Sequence, residues 1–228
     1  MIVITGPGRS GTSFLANLYQ NLGFDPGGGW EADKRAGLEE RSVVKMNTKL
    51  CEELGAPIGP PPRTPLGQQR WHLVNELADK HGKKLRKLAE EREVVKDPRF
   101  CWTLRVWVAA GAPIEHVVLT LRRVEDVIGS AAHAGMRKPV DQVSVEQLNN
   151  ARSTVTYRIG AVVTAAAESG IPYSTLWFPN YLSDPEALYR ALAFPRPLSL
   201  DAFLVGFRRT VKPELVNFGG PEKDASAT

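Results

Sequence analysis

A glycine-bearing turn between a short apolar strand and a helix is the feature that most constrains the fold of this chain. The turn is residues 6–13, Gly-Pro-Gly-Arg-Ser-Gly-Thr-Ser, and it follows the apolar residues 2–4. Apolar side chains then recur at helical spacing, at Phe14, Leu15, Leu18, Tyr19 and Leu22. Backbone N–H groups in such a turn and the positive end of the next helix dipole converge on one point. The segment therefore predicts a site for a phosphate-sized anion.

The spacing of Gly6 and Gly11 matches the nucleotide-binding loop G-x-x-x-x-G-K-[ST], with one difference. The lysine that reaches the β- and γ-phosphates of a triphosphate is replaced by Thr12. A cation stands earlier in the turn, at Arg9. The turn is thus poorly suited to ATP or GTP, and a glycine turn that binds no ligand is the structural alternative.

An arginine followed by Ser-Gly-Thr-Ser resembles the 5′-phosphosulfate loop of sulfotransferases that use 3′-phosphoadenosine 5′-phosphosulfate (PAPS). The resemblance covers residues 1–55 and 93–135 well and residues 173–192 loosely. It implies that Arg9, Ser10, Gly11, Thr12 and Ser13 bind the cofactor, with the backbone N–H groups of residues 10–13 on the 5′-phosphate. It also implies a catalytic role for Arg9 at the leaving phosphate.

A second motif follows the apolar run 117–121, which reads as a buried strand. In the same sulfotransferases an arginine at a strand end and a serine eight residues later hold the 3′-phosphate of PAPS. Arg122 and Ser130 have this separation, and Asp126 matches a frequent aspartate. Val124 stands where the family usually has proline, and a surface cation is the alternative interpretation of Arg122.

Two further stretches resemble bacterial sulfotransferases. Val94-Val95 reads as a strand leading to Lys-Asp-Pro-Arg at residues 96–99, and the resemblance makes Lys96 catalytic. A Gly-x-x-Glu pattern at residues 37–40 precedes a helix that ends near Leu54-Gly55, and the resemblance makes Glu40 the general base. A first-turn glutamate favoured by the helix dipole is the alternative for Glu40.

One branch of the family uses a histidine beside the lysine motif as base, and this chain has none there. His133 and Asp97 are therefore the next candidates after Glu40.

Composition agrees with an ordinary globular enzyme. The 228 residues are 43% hydrophobic and 24% charged, enough for one domain with a real core. A net charge of +4 suits an anionic co-substrate and is too small to indicate nucleic acid. The two cysteines, Cys51 and Cys101, show neither metal spacing nor a disulfide framework. We expect reduced thiols and no metal site.

Strands and helices alternate, which predicts an α/β fold: a single P-loop-like domain with a central parallel sheet flanked by helices. We expect the domain at residues 1–219 and a disordered tail at 220–228. Helices are predicted over about 68–91 and 144–168, and a Ser183-x-x-Glu186 capping box is predicted for a later one. No signal peptide and no membrane span are expected, which favours the cytoplasm.

The resemblance implies transfer of a sulfuryl group from PAPS, with PAP as product, to a small-molecule, sugar or lipid acceptor. The segment 27–33 and the proline-rich loop 55–65 are candidates to shape the acceptor pocket. Two alternatives stay open. One is an ATP-dependent kinase with Asp97 holding Mg²⁺, and the other is a catalytically inactive nucleotide-binding protein.

Overall fold

The structure is a computed structural model that describes residues 1–25, 30–31, 39–56, 69–133 and 142–211. Its strands are β1 (Ile2–Thr5), β2 (Trp30–Glu31), β3 (Glu39–Glu40), β4 (Val94–Lys96), β5 (His116–Leu121) and β6 (Tyr173–Trp177). Its α-helices are α1 (Thr12–Asn21), α2 (Arg41–Leu54), α3 (Val74–Glu90), α4 (Phe100–Ala109), α5 (Val124–His133), α6 (Val145–Glu168), α7 (Pro185–Ala191) and α8 (Leu200–Thr210).

The central sheet has the strand order β4-β1-β5-β6, and every neighbouring pair is parallel. The predicted α/β class with a parallel sheet between helices is therefore confirmed. The chain places β4 on one side of β1 and then crosses to place β5 on the other. In open parallel sheets, ligands bind at the carboxyl ends of the strands beside such a crossing. The carboxyl end of β1 carries the predicted anion turn.

Alternate residues of β1 enter two apolar cores, because successive strand side chains point to opposite faces. Val3 lies in the core formed with α2, α3, α4 and α6. Ile2 and Ile4 lie in the core formed with α1, α7 and α8. Helices on both faces leave only the ends of the central strands accessible, so the carboxyl edge is where the fold can present a site.

Two predicted helix starts are wrong in detail. The predicted helix over 68–91 begins only at Val74, after a 3-10 turn over Trp71–Leu73. The predicted capping box at Ser183 is absent, because Asp184 caps α7 by accepting a hydrogen bond from the Ala187 N–H. Proline at position 185 occupies the first turn of that helix, where its missing N–H costs nothing.

The helix predicted over 144–168 is confirmed, with Ser144 as its N-cap. The tail expected at 220–228 lies outside the described residues, as do Gly37 and most of segments 27–33 and 55–65. None of the helices in the described part of the chain has the length and apolar character that a membrane span needs.

Candidate anion-binding and transfer site

The turn at the end of β1 is packed tightly enough to require glycine. Gly11 has φ of 93°, and a Cβ there would lie 2.5 Å from Phe178 Cδ2 and from the Tyr181 hydroxyl oxygen. The Tyr181 hydroxyl donates to the Gly11 carbonyl at 3.2 Å. The segment after β6 therefore packs against the turn and helps to hold it in place.

Two polar side chains of the turn, those of Ser10 and Thr12, are buried. The hydroxyls of Ser10 and Thr120 are hydrogen-bonded at 2.8 Å, and both side chains are buried. Thr12, in the position of the missing lysine, is also buried and begins α1. The N-terminus of α1 thus sits at the carboxyl edge of the sheet with Ser13 in its first turn, a geometry that favours anions.

The structure brings the turn together with the second sequence motif. Arg9 Nε donates to Ser130 Oγ at 3.1 Å, although the two residues lie 121 positions apart. Arg122 Nη1 donates to the Arg9 carbonyl oxygen at 3.2 Å. Arg9 is held at φ of 68°, a conformation that non-glycine residues adopt at a cost and that clusters at functional sites. Three predicted cofactor residues therefore form one cluster.

The cluster places a buried cation beside an exposed one. Arg122 is buried, and its guanidinium stacks over the Phe178 ring at 4.9 Å. Burial lowers the pKa of Arg122 below its ordinary value, Arg9 lowers it further, and Asp126 only partly opposes these effects. Arg9 is exposed, so only Arg122 bears a cost of burial.

The third motif places a lysine at the carboxyl end of β4. Lys96 is 1% exposed, and its Nζ donates to Glu39 Oε1 at 2.9 Å. Burial lowers the pKa of Lys96, while the negative charge of Glu39 works in the opposite direction. Glu39 Oε2 also accepts from Arg99 Nη1 at 3.2 Å. One carboxylate therefore bridges two cations, and neither Glu39 nor Arg99 was among the site residues predicted from the sequence.

A buried polar network fixes the second of these cations. Asp97 Oδ1 accepts from the backbone N–H of Arg99 and from its Nη1, both at 2.9 Å. Asp97 Oδ2 accepts from Asn47 Nδ2 at 2.9 Å, and Asn47 Oδ1 accepts from Thr103 and Trp107 at 2.8 Å each. Asp97 is 0% exposed, and burial raises its pKa. Asp97 therefore orients Arg99, and its complete burial keeps it from contact with an acceptor substrate.

Glu40 has a structural task in this geometry, and its role as general base stays a prediction. It is the N-cap of α2 and accepts from the Val43 N–H at 2.6 Å and from the Ser42 hydroxyl. It also pairs with Arg92 at 3.1 Å, and both side chains are buried. Burial acts to raise the pKa of Glu40, but these hydrogen bonds outweigh it and lower the pKa. An occupied, weakly basic and enclosed carboxylate is a poor proton acceptor.

We expect Glu40→Ala to lower the free energy of unfolding by about 3–5 kcal/mol at neutral pH, because it strands the buried Arg92 and removes the helix cap. Denaturant unfolding measures the change. Since the folded pKa is lowered, this contribution is complete above the unfolded pKa and is lost as pH falls through the folded one. Glu52→Ala, an exposed position on the same helix, should change stability by no more than about 0.5 kcal/mol. Equal losses for the two variants would contradict the structural role.

The remaining candidates add little to the site. His133 ends α5, and its side chain lies outside the described residues. Both cysteines are free and buried, in agreement with the expected thiols. In the part of the chain that the structure describes, no group of three His, Cys, Asp or Glu side chains is arranged to hold a metal ion.

Comparison with known proteins gives one distant structural likeness. No protein-family model matches the chain, and no curated protein matches it significantly. The crystal structure of sulfotransferase STF1 from Mycobacterium tuberculosis H37Rv is similar over 94% of this chain and 74% of that one. The sequences are 20% identical and the TM-score is 0.47. At that distance the likeness assigns neither an activity nor a site residue to this chain.

Proposed function

We propose that the protein is a sulfotransferase that moves a sulfuryl group from PAPS to a hydroxyl or amine of a small-molecule, sugar or lipid acceptor. The observation that carries the proposal is the meeting of Arg9, Arg122 and Ser130 at the helix N-terminus that follows β1. PAP carries two phosphates, on the 3′ and 5′ positions of one ribose. We assign its 5′-phosphate to residues 10–13 and its 3′-phosphate to Arg122 with Ser130.

Two observations disfavour the kinase alternative. The position of the triphosphate-binding lysine holds Thr12, whose side chain is buried. Asp97, the candidate Mg²⁺ ligand, is fully enclosed, and its oxygens accept hydrogen bonds from Asn47 and Arg99. Such a carboxylate has no face to offer a metal bound to nucleotide phosphates. A catalytically inactive protein would bind the same nucleotide and would differ from a sulfotransferase in turnover.

The negative charge that develops on the leaving phosphate indicates the roles of the two cations, Arg9 and Lys96. The acceptor oxygen or nitrogen bonds to sulfur while the bond from sulfur to the bridging oxygen breaks, and the electron pair of that bond stays on PAP. Arg9 and Lys96 stabilise the negative charge that grows on the leaving phosphate, which lowers the barrier because the charge is greatest in the transition state.

The acceptor must lose a proton during transfer, and we assign that proton to Glu39 in place of Glu40. Glu39 is 15% exposed on its side chain and lies against Lys96, whereas Glu40 points into the cap of α2. A general base has to lie within hydrogen-bonding reach of the reacting group. Of the two adjacent carboxylates, Glu39 is the one beside the proposed transfer centre.

A thermal-shift panel tests the nucleotide class. PAP and PAPS should raise the melting temperature equally well in EDTA and in Mg²⁺, because a ligand specific to the folded state stabilises it. ATP and GTP with Mg²⁺ should give smaller shifts, since the loop lacks the triphosphate lysine. Stabilisation that appears only with ATP and Mg²⁺ would contradict this proposal and favour the kinase. If no nucleotide shifts the melting temperature, both functions are contradicted.

A further inference from the structure

The carboxylate of Glu39 lies between the cations of Lys96 and Arg99, where the proposed reaction requires the sulfuryl group. Its two carboxylate oxygens each accept from a different cation, Oε1 from Lys96 at 2.9 Å and Oε2 from Arg99 at 3.2 Å. A sulfuryl group also offers several oxygens on one atom and carries negative charge. In the proposed reaction the sulfuryl group has to lie close to Lys96. The pair of cations Lys96 and Arg99, called the cationic seat below, therefore has two candidate occupants: the Glu39 carboxylate and the sulfuryl group.

We propose that Glu39 is an internal stand-in for the sulfuryl group: it fills the seat on Lys96 and Arg99 in the nucleotide-free protein, and the sulfuryl group of PAPS displaces it. The displaced carboxylate then faces the acceptor. The proposal rests on the proposed function, and it adds an order of events, with nucleotide binding before the base is released.

Burial of the lysine makes the exchange necessary. Lys96 is 1% exposed and its Nζ donates to Glu39, so a ligand that takes over this contact has to displace the Glu39 carboxylate. Removing a buried cation from its counter-ion is costly unless another anion replaces it. PAPS carries such an anion, the sulfuryl group on its 5′-phosphate, and PAP does not. The exchange therefore favours binding of PAPS over binding of PAP.

The surrounding structure makes Glu39 the part that moves. Arg99 is anchored by Asp97, which is itself fixed by Asn47 in the core. Lys96 lies in β4, paired with the central strand β1. Glu39 belongs to a two-residue strand whose described partner is the two-residue strand β2. Rotation of one glutamate side chain is far less costly than displacement of the two cations.

The residue that follows Glu39 is held firmly, which favours a motion of the Glu39 side chain alone. Glu40 caps α2 and pairs with the buried Arg92, which lies between α3 and β4. The carboxylate of Glu39 can thus leave and return to the same place in each cycle. After transfer the sulfuryl group departs with the acceptor, and the return of Glu39 restores the counter-ion of Lys96.

Calorimetric titration with PAPS and with PAP tests the exchange. In Glu39→Gln the neutral amide competes less well for the seat, so the ratio of PAPS affinity to PAP affinity should rise roughly 5- to 150-fold, the usual range for coupling between two interactions. PAP affinity itself should change little. Glu40→Gln removes a charge one residue away, outside the seat, and should leave the ratio as it is in the unmodified protein.

The outcomes separate this inference from the proposed function. If the unmodified protein binds PAP and Glu39→Gln leaves the ratio unchanged, the pair of Glu39 with Lys96 is only structural and the exchange is wrong. If the unmodified protein binds neither nucleotide, the proposed function itself fails. Glu39→Asp keeps a negative charge but is one methylene too short to bridge both cations. It should also raise the ratio, and it replaces Glu39→Gln should that variant not fold.

Discussion

Lys96→Gln is expected to lower turnover by about 10²- to 10³-fold, the usual effect of removing one preorganised group that stabilises transition-state charge. The charge on the bridging oxygen is small in bound PAPS and large as the bond to sulfur breaks, so Lys96 stabilises this oxygen mainly in the transition state; its contact with the sulfuryl group adds affinity for PAPS and not for PAP. PAP affinity should stay within a few-fold of the unmodified protein. Transfer of labelled sulfur from PAPS measures the effect, on an acceptor found by screening phenolic, sugar and lipid hydroxyls.

The control for this prediction is Lys87→Gln on α3. Lys87 is exposed and pairs only with Glu91 on the helix surface, so the same chemical change there should leave turnover unaltered. A loss of PAP affinity in Lys96→Gln as large as the loss of turnover would contradict a transition-state role. It would show that Lys96 holds the nucleotide in the ground state.

Glu39→Gln should lower turnover by about 10²- to 10⁴-fold, the range for proton transfer by a positioned side chain. Glutamine preserves the size of Glu39 and removes the basic oxygen. The loss should appear even when PAPS is saturating, because the missing function acts on the acceptor. The same labelled-sulfur assay measures it.

Glu40→Gln is the matched control, since it makes the same substitution at the next residue. It should reduce stability and keep near-normal turnover at a temperature where the protein is folded. The reverse result, with Glu40→Gln inactive and Glu39→Gln active, would restore the role that the sequence pattern favoured for Glu40. Activity in both variants would leave the acceptor proton to another group.

The strands and the anion turn were predictable because their signals are local. Short runs rich in β-branched residues predicted β1, β4 and β5, and Gly6 and Gly11 marked the turn at the end of the first. The separation of Arg122 and Ser130 along one strand-to-helix segment was also readable from the sequence. Their contacts with Arg9 were not, because no local pattern joins residues as much as 121 positions apart.

The distinction between Glu39 and Glu40 was beyond the sequence for a geometric reason. Adjacent residues in an extended segment point in opposite directions, so a shift of one position exchanges the capping and the cation-facing carboxylate. Family spacing alone selected Glu40. A signal was nevertheless present at Ser42 and Val43, which lie two and three residues after Glu40 in the first turn of α2 and donate to its carboxylate. A carboxylate at that position is favoured as an N-cap.

Arg99 was missed because its role depends on the burial of Asp97. From the sequence, the run Lys-Asp-Pro-Arg offers two cations and one acid with no indication of which side chain is buried in the core. The side chain of Asn47, 50 positions earlier in the chain, decides it by holding Asp97 in the core. Side chains on separate elements are brought together only by the packing of α2 against α4.

Recognition of the 3′-phosphate by Arg122 is the central claim, because it distinguishes a PAPS site from other phosphate-binding turns. Calorimetric titration of the unmodified protein and Arg122→Ala with PAP and with adenosine 5′-phosphate, which lacks the 3′-phosphate, tests it most directly. We predict that Arg122→Ala weakens PAP by about 1.5–3 kcal/mol, as loss of a charged hydrogen-bonding partner does, and leaves adenosine 5′-phosphate nearly unaffected. Equal losses for the two nucleotides would show that Arg122 does not contact the 3′-phosphate and would contradict the assignment.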